Sequence, residues 1–174
     1  MNFKEILLSG NSLPDIDIYD MHAHIGTCKG TSSLDSSCDG IYKSMKNIGI
    51  KKTVVSSISA FTADLYSGND DVVAAAEKYP DEILGYVSVN AHYENGTVDE
   101  VKRCLSKGIV GIKIHPDHTS VPINDERMIP LYEYANEKGN IVLVHTYSLG
   151  GVCELEKTVA KYPDAKFIFA HSGK

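Results

Sequence analysis

The sequence predicts an α/β fold of the barrel type, in which each parallel strand is followed by one helix. Three observations favour this fold class: short β-branched runs alternate with helical patterns, the runs recur at a spacing of about 30 residues, and histidines follow the ends of the runs. An open sheet covered by helices on both faces is the alternative arrangement of the same units.

Six apolar runs are the predicted strands. They occupy residues 16–22, 52–58, 83–90, 109–115, 140–146 and 166–172. Gly49, Gly108 and Gly139 follow helical patterns and precede the next run, as expected for a residue that ends a helix in the left-handed conformation. The phrase Lys-Tyr-Pro-Asp at 78–81 and again at 161–164 also ends a helix, because proline cannot continue it. The chain therefore reads as successive βα units.

Composition limits the class of protein. With 174 residues, of which 43% are hydrophobic and 23% charged, residues 1–174 are expected to form one globular domain. The net charge of −6, with no basic run longer than Lys51-Lys52, argues against a nucleic-acid partner or an anionic membrane. No signal-peptide core or membrane-spanning run is visible, and four cysteines without CxxC spacing suggest reduced thiols. We therefore expect a cytoplasmic protein with a small-molecule substrate.

The seven histidines all fall at the end of a predicted strand or just beyond it, and none falls in a predicted helix. They are His22, His24, His92, His115, His118, His145 and His171. Parallel barrels build their active sites from the carboxyl ends of several strands and from the loops that follow. The histidines therefore mark the predicted rim of the site.

The two-residue period of a strand predicts which side chains face the interior. In the first strand Asp20, His22 and His24 share one face. The same alternation gives three further inner sets, which are Gly111, Lys113 and His115; Ile141, Leu143 and His145; and Phe167, Phe169 and His171. A histidine thus ends the inner face of four predicted strands, and a barrel explains this where an open sheet does not.

Two histidines spaced i and i+2 on a strand present both rings in one direction, at a separation that one divalent cation can span. His145 would complete a set of three imidazoles and leave coordination positions for water and substrate. Asp20, one step deeper, is expected to accept a ring N–H and so orient a ligand. Such a site lowers the pKa of bound water to roughly 7 and polarises a carbonyl. The alternative is that the His-x-His pair arose by chance.

Four segments together resemble the amidohydrolase superfamily, in the branch of small metal-dependent hydrolases that also contains aminocarboxymuconate-semialdehyde decarboxylase. The segments are Asp-Met-His-Ala-His at 20–24, Gly-Ile-Lys-Ile-His-Pro at 111–116, Val-Leu-Val-His-Thr at 142–146 and Phe-Ala-His-Ser-Gly at 169–173. The resemblance extends along essentially the whole chain. It implies a TIM-type (β/α)8 barrel in which His22, His24 and His145 bind a divalent metal, usually zinc. His171 would act beside the metal-bound water as a base or orienter.

Lys113 and His115 are the expected substrate-binding residues. In some relatives a lysine on the fourth strand is carboxylated and bridges two metals, whereas in this branch it more often lines the site unmodified. A salt bridge within the core is the third alternative for Lys113. Three segments, 27–37, 59–69 and 116–122, are expected to be loops that border the pocket.

The resemblance also implies an Asp at the end of an eighth strand, and no counterpart is present. The sequence supplies about six of the eight strands, so we expect the C-terminal part of a longer protein of about 250 residues or more to be missing. The alternative is a short protein that closes its open edges with a partner or a swapped strand, for example as a homo-oligomer. The expected reaction is hydrolysis of an amide, ester or lactone carbonyl of a small molecule. Non-oxidative decarboxylation at the same site and a non-catalytic metal-binding remnant are the alternatives.

Overall fold

Six parallel strands form a single sheet in chain order. The computed structural model describes residues 3–10, 13, 16–27 and 35–173. The strands are β1 (Ile18–Ile25), β2 (Ile50–Ser57), β3 (Ile83–Ser88), β4 (Gly111–Ile114), β5 (Ile141–Val144) and β6 (Lys166–Phe169). Each pairs with the next one in parallel, so that β1 and β6 are the two edges. The six predicted strands are confirmed, with several boundaries shifted by a few residues.

Helices connect the strands as predicted. They are α1 (Phe3–Ser9), α2 (Cys38–Asn47), α3 (Ile58–Thr62), α4 (Leu65–Lys78), α5 (Val98–Leu105), α6 (Pro116–Thr119), α7 (Ile129–Lys138) and α8 (Leu149–Val159). Two 3-10 turns, Glu126–Met128 and Ala170–Gly173, complete the described elements. Within the described ranges, no helix combines the length and the apolar character that crossing a membrane requires.

Left-handed glycines end the connections, as the sequence predicts. Gly49, Gly108 and Gly139 have φ angles of 80°, 89° and 62°. A residue with a Cβ is strained at such angles, so glycine allows the chain to leave each helix and enter the next strand.

The segments expected to be rim loops differ in structure. Residues 59–69 are mostly helical, because α3 and the start of α4 occupy them, and the Asp64 carboxylate caps α4 by accepting the N–H of Ser67. Residues 116–122 begin with the single turn of α6. Of the segment 27–37, residues 28–34 lie outside the described part of the chain. The middle rim segment is therefore corrected from loop to helix.

The main core lies between the sheet and the helices. Ile112 and Ile114 of β4 and Val142 and Val144 of β5 pack there. The opposite face of the sheet forms a smaller apolar cluster with Val54, Tyr86, Leu143 and Ala170 as its buried members. This alternation confirms the faces predicted for β4 and β5.

The face predicted for β6 is wrong. Phe167 and Phe169 pack in the main core on the helix side, where the Phe167 ring lies 6.2 Å from the ring of Tyr132. Ile168 and Ala170 face the inner cluster instead. Pairing with β5 decides this phase, because the residue opposite inward-facing Leu143 is Ile168.

The sheet curls so that its two edges approach each other at one end. The ring of His22 on β1 and the ring of His171 just beyond β6 have centroids 5.1 Å apart, although the two strands are at opposite edges. A flat sheet of six strands would hold its edges more than 20 Å apart at the usual spacing of about 4.8 Å. The strands therefore form part of a barrel, and their carboxyl ends converge.

Candidate metal centre

Six imidazoles meet at or beyond the carboxyl ends of the strands, and the sixth, His118, joins the cluster through His115 at a ring-centroid distance of 4.3 Å. Ring centroids are separated by 4.9 Å between His22 and His24, 4.7 Å between His145 and His171, and 3.8 Å between His115 and His145. Together with the contact between His22 and His171, these separations join all the predicted metal and catalytic histidines into one cluster. His92 lies apart, against the guanidinium of Arg127 at 3.3 Å.

Lys113 projects into this cluster, as its strand phase predicts. Its side chain is fully buried, and its Nζ lies 2.9 Å from Nε2 of His22. Burial lowers the pKa of Lys113 to about 8. Among the described residues no carboxylate lies within ion-pair distance of it, so the core salt bridge considered for this lysine is not formed there. The result is a buried amine beside an imidazole that is a predicted metal ligand.

Burial keeps four of the clustered imidazoles neutral. It is the largest cause that lowers the pKa of His22 to about 3, of His24 and His145 to about 4, and of His115 to about 2. The charge of Lys113 lowers the pKa of each of them further. A neutral imidazole keeps one nitrogen lone pair, which is the form that binds a metal. The donor set is therefore ready for a cation at neutral pH without losing protons.

His24 and His22 have different polar partners. The hydroxyl of Ser56, on the adjacent strand β2, lies 2.9 Å from Nδ1 of His24. Asp20 accepts the main-chain N–H of His22 at 3.0 Å. Asp20 thus contacts the main chain where the sequence predicted a contact with a ring, and Ser56 is a residue that the sequence analysis missed. No local sequence pattern indicates Ser56, because it meets His24 only through the pairing of β1 with β2.

His145 has a partner for each ring nitrogen. Its Nδ1 lies 3.0 Å from Nε2 of His171, and its Nε2 lies 3.4 Å from Oδ2 of Asp117. A carboxylate that accepts the Nε2 proton leaves the lone pair on Nδ1, where it faces His171; a carboxylate partner of this kind is common for metal-binding histidines. Asp117 is a further residue that the sequence analysis missed, at the start of α6.

One group of the described residues could hold a metal, and it shares His145 with the predicted set. One ligand atom from each of His115, Asp117 and His145 falls within 4.8 Å of the others. The ligand atoms of the predicted set, His22, His24 and His145, are less close together than those of this group. In addition, the Nζ of Lys113 occupies the hydrogen-bonding position at Nε2 of His22. The chemistry of either set, mainly imidazole nitrogen, fits zinc and related transition metals.

His115 directly follows the end of β4. It is the N-cap of α6, its Nδ1 receives the N–H of His118 at 3.4 Å, and its ring stacks on His145 with planes 13° apart. The ring of Phe61 packs against His115 at 5.2 Å and against His24 at 6.1 Å. His118 itself lies within α6, so the expectation that no histidine is helical is wrong. His115 is nevertheless a wall residue of the cluster.

His171 joins the cluster from a position beyond the end of its strand, where the two-residue period no longer applies. β6 ends at Phe169, and His171 lies in the following 3-10 turn with a φ of 55°. This left-handed conformation is uncommon for a residue other than glycine and is often found at functional sites. It turns the imidazole to the inner rim, although the predicted phase of the strand was wrong.

The fold and the histidine cluster define a class: part of a parallel α/β barrel with an imidazole-rich centre at its carboxyl-terminal rim. The amidohydrolase family model matches residues 19–174. The chain therefore belongs to the amidohydrolase family, whose members are enzymes that bind divalent metals.

Three solved structures illustrate the similarity. The 2,6-dihydroxybenzoate decarboxylase from Rhizobium matches 90% of this chain and 67% of its own, at a TM-score of 0.71 and 14% identity. The 5-carboxyvanillate decarboxylase from Novosphingobium aromaticivorans, with bound manganese, matches 94% of this chain and 68% of its own, at a TM-score of 0.71 and 14% identity. The probable 2-pyrone-4,6-dicarboxylic acid hydrolase from Acinetobacter baumannii matches 88% of this chain and 58% of its own, at a TM-score of 0.67 and 15% identity. These identities show the shared fold, and this chain spans 58% to 68% of the three structures.

Proposed function

We propose that this chain contains the catalytic site of a metal-dependent hydrolase that acts on an amide, ester or lactone carbonyl of a small molecule. The observation that supports this proposal best is the convergence of four histidines at one rim. His22 and His24 lie on β1, whereas His145 follows β5 and His171 follows β6. Membership of the amidohydrolase family supports the general reaction type.

His22, His24 and His145 would hold the divalent metal, for which zinc is our proposal. When bound, the metal supplies Lewis acidity, which polarises a carbonyl and lowers the pKa of water. For His22 to bind the metal through Nε2, the amine of Lys113 must move away from this nitrogen. Its lowered pKa and its flexible side chain are compatible with such a movement.

The residues of the chain itself would then bind substrate and handle protons. His171, with Nε2 at hydrogen-bond distance from His145, is placed to take a proton at the edge of the centre. Lys113 would bind an anionic group of the substrate, because a buried amine without a carboxylate partner gains most from one. His115 and Phe61 would form the apolar wall of the pocket.

Decarboxylation of a small carboxylic acid is the second candidate, and the buried amine of Lys113 favours it. A carboxylate substrate would supply the opposite charge that this buried group lacks among the described residues. Two of the solved structures with the same fold are decarboxylases by name. The two candidate reactions share the proposed metal ligands and differ in the bond that breaks.

Metal analysis of ligand variants tests the centre. The full chain, purified without chelators and then loaded with zinc or manganese, should retain about one equivalent of metal. His145→Ala should lose it, whereas His92→Ala, which changes a rim histidine outside the cluster, should retain it.

Two further variants separate the alternative metal sets. Loss of metal from His22→Ala but not from His115→Ala supports the predicted set, and the reverse result supports the compact set with Asp117. A wild-type chain that binds neither metal would contradict the proposal. Screening esters, lactones and amides for hydrolysis, and aromatic acids for CO₂ release, then decides between the two reactions.

A further inference from the structure

We propose that Ser56 is a positioning residue of the metal centre, because it accepts the Nδ1 proton of His24 and so directs the Nε2 lone pair of His24 towards the metal. The inference deepens the proposed function and rests on it. Ser56 takes the role that the sequence analysis gave to Asp20.

Strand pairing creates the contact. His24 on β1 and Ser56 on β2 are direct partners in the parallel register, and the Ser56 side chain is fully buried. The hydroxyl oxygen lies 2.9 Å from Nδ1 of His24. On another side of the imidazole, the ring of Phe61 packs edge-on at a centroid distance of 6.1 Å. The imidazole is therefore held from two elements, and its rotation is restricted.

The direction of the hydrogen bond decides whether His24 can bind a metal through Nε2. A neutral imidazole has one N–H and one lone pair on opposite sides of the ring. If Nδ1 donates to Ser56, Nε2 is free to bind a cation. If the hydroxyl donates to Nδ1 instead, Nε2 bears the proton and cannot bind. A serine hydroxyl can do either, and the proposed role of Ser56 requires that the hydroxyl accept the Nδ1 proton, so the tautomer of His24 tests the proposal.

The other possible orienting groups are occupied. Asp20 accepts the main-chain N–H of His22, and Asp117 faces Nε2 of His145. Neither contact reaches His24. Ser56 is thus the described side chain with a hydrogen bond to the His24 ring.

Zinc affinity of the full chain is the first test. Loss of a residue that orients a metal ligand typically weakens binding by about 10- to 100-fold. We expect Ser56→Ala to weaken zinc binding within this range, measured by competition with a chromophoric chelator. The matched control is Ser57→Ala, which removes a neighbouring buried hydroxyl with no described hydrogen-bond partner. This control should leave zinc affinity and, like Ser56→Ala, the fold nearly unchanged.

Nitrogen-15 NMR of the metal-free chain is the second test, and it does not depend on zinc. We expect the His24 ring, assigned by comparison with His24→Gln, to be the Nδ1–H tautomer in the wild type. In Ser56→Ala we expect a mixture of tautomers. The thermal midpoint of each metal-free variant reports any general loss of structure.

The outcomes separate the two proposals. A wild-type chain that binds no zinc contradicts the proposed function, while the tautomer of His24 still decides the role of Ser56. An Nε2–H tautomer in the wild type overturns the role of Ser56. Equal zinc affinity in Ser56→Ala and the wild type, or equal losses in the two serine variants, also overturns it.

Discussion

Replacing Tyr86 by Phe should stabilise the protein. The Tyr86 side chain is fully buried in the inner cluster, and its hydroxyl has no hydrogen-bond partner among the described residues. An unsatisfied buried polar group costs about 1–3 kcal/mol. Removing the hydroxyl recovers this cost but leaves a small void, so we expect a net gain of about 1 kcal/mol at pH 8.

The gain should grow with pH. Burial, with a further effect from the charge of Asp20, raises the pKa of Tyr86 from 10.0 to about 12. Below pH 10 the phenol is neutral in both the folded and the unfolded chain, so ionisation contributes nothing. Between pH 10 and 12 the unfolded chain releases this proton and the folded chain keeps it, so the wild type loses stability. At pH 11 this loss is about 1.4 kcal/mol, and the advantage of Phe becomes about 2.4 kcal/mol.

Urea unfolding of both proteins at pH 8, 10 and 11 measures the difference, since all other groups titrate alike in the two chains. Tyr132→Phe is the matched control. The Tyr132 hydroxyl is buried but donates to the carbonyl of Ile123 at 2.7 Å, so its removal should destabilise the fold by about 1 kcal/mol. A destabilised Tyr86→Phe protein at pH 8 would show that the Tyr86 hydroxyl has a partner. A pH dependence identical to that of the wild type would show that burial does not raise the pKa of Tyr86.

Three other predictions concern the site and the packing. His171→Asn should lower kcat by about 10²–10⁴, with metal content unchanged, if the group handles a proton; loss of metal instead would make it a ligand. Cys153 is exposed and should be alkylated in the native protein at pH 8, whereas Cys104, buried and with its pKa raised to about 12, should react only after unfolding; peptide mass spectrometry distinguishes them. Gly68→Ala should destabilise by about 2 kcal/mol, because the new methyl would lie 2.3 Å from a main-chain nitrogen of α3, whereas Gly150→Ala, with open space around it, should stabilise α8 by about 0.5–1 kcal/mol; thermal unfolding that gives both variants the same sign would contradict this account of the packing.

The sequence by itself determined the order of the βα units and the place of most of the predicted site residues at the ends of the strands. Strands and helices follow from local patterns of apolar residues and from glycines at helix ends, and the structure confirms both. The pair His22 and His24 shares a face because alternation along one strand is a local property. Lys113 points inward for the same reason.

Only the tertiary structure decided the contacts between strands. Which side chains of β6 face the helices depends on the pairing of β6 with β5, and this pairing places Phe167 on the helix side of the sheet. His171 joins the cluster because its main chain is left-handed, and the alternation of side chains along a strand does not predict this conformation. Ser56 meets His24 through the register of two strands whose residues are far apart in sequence. Local patterns constrain the faces of one element, but the partner of a side chain on another element depends on packing across the whole sheet.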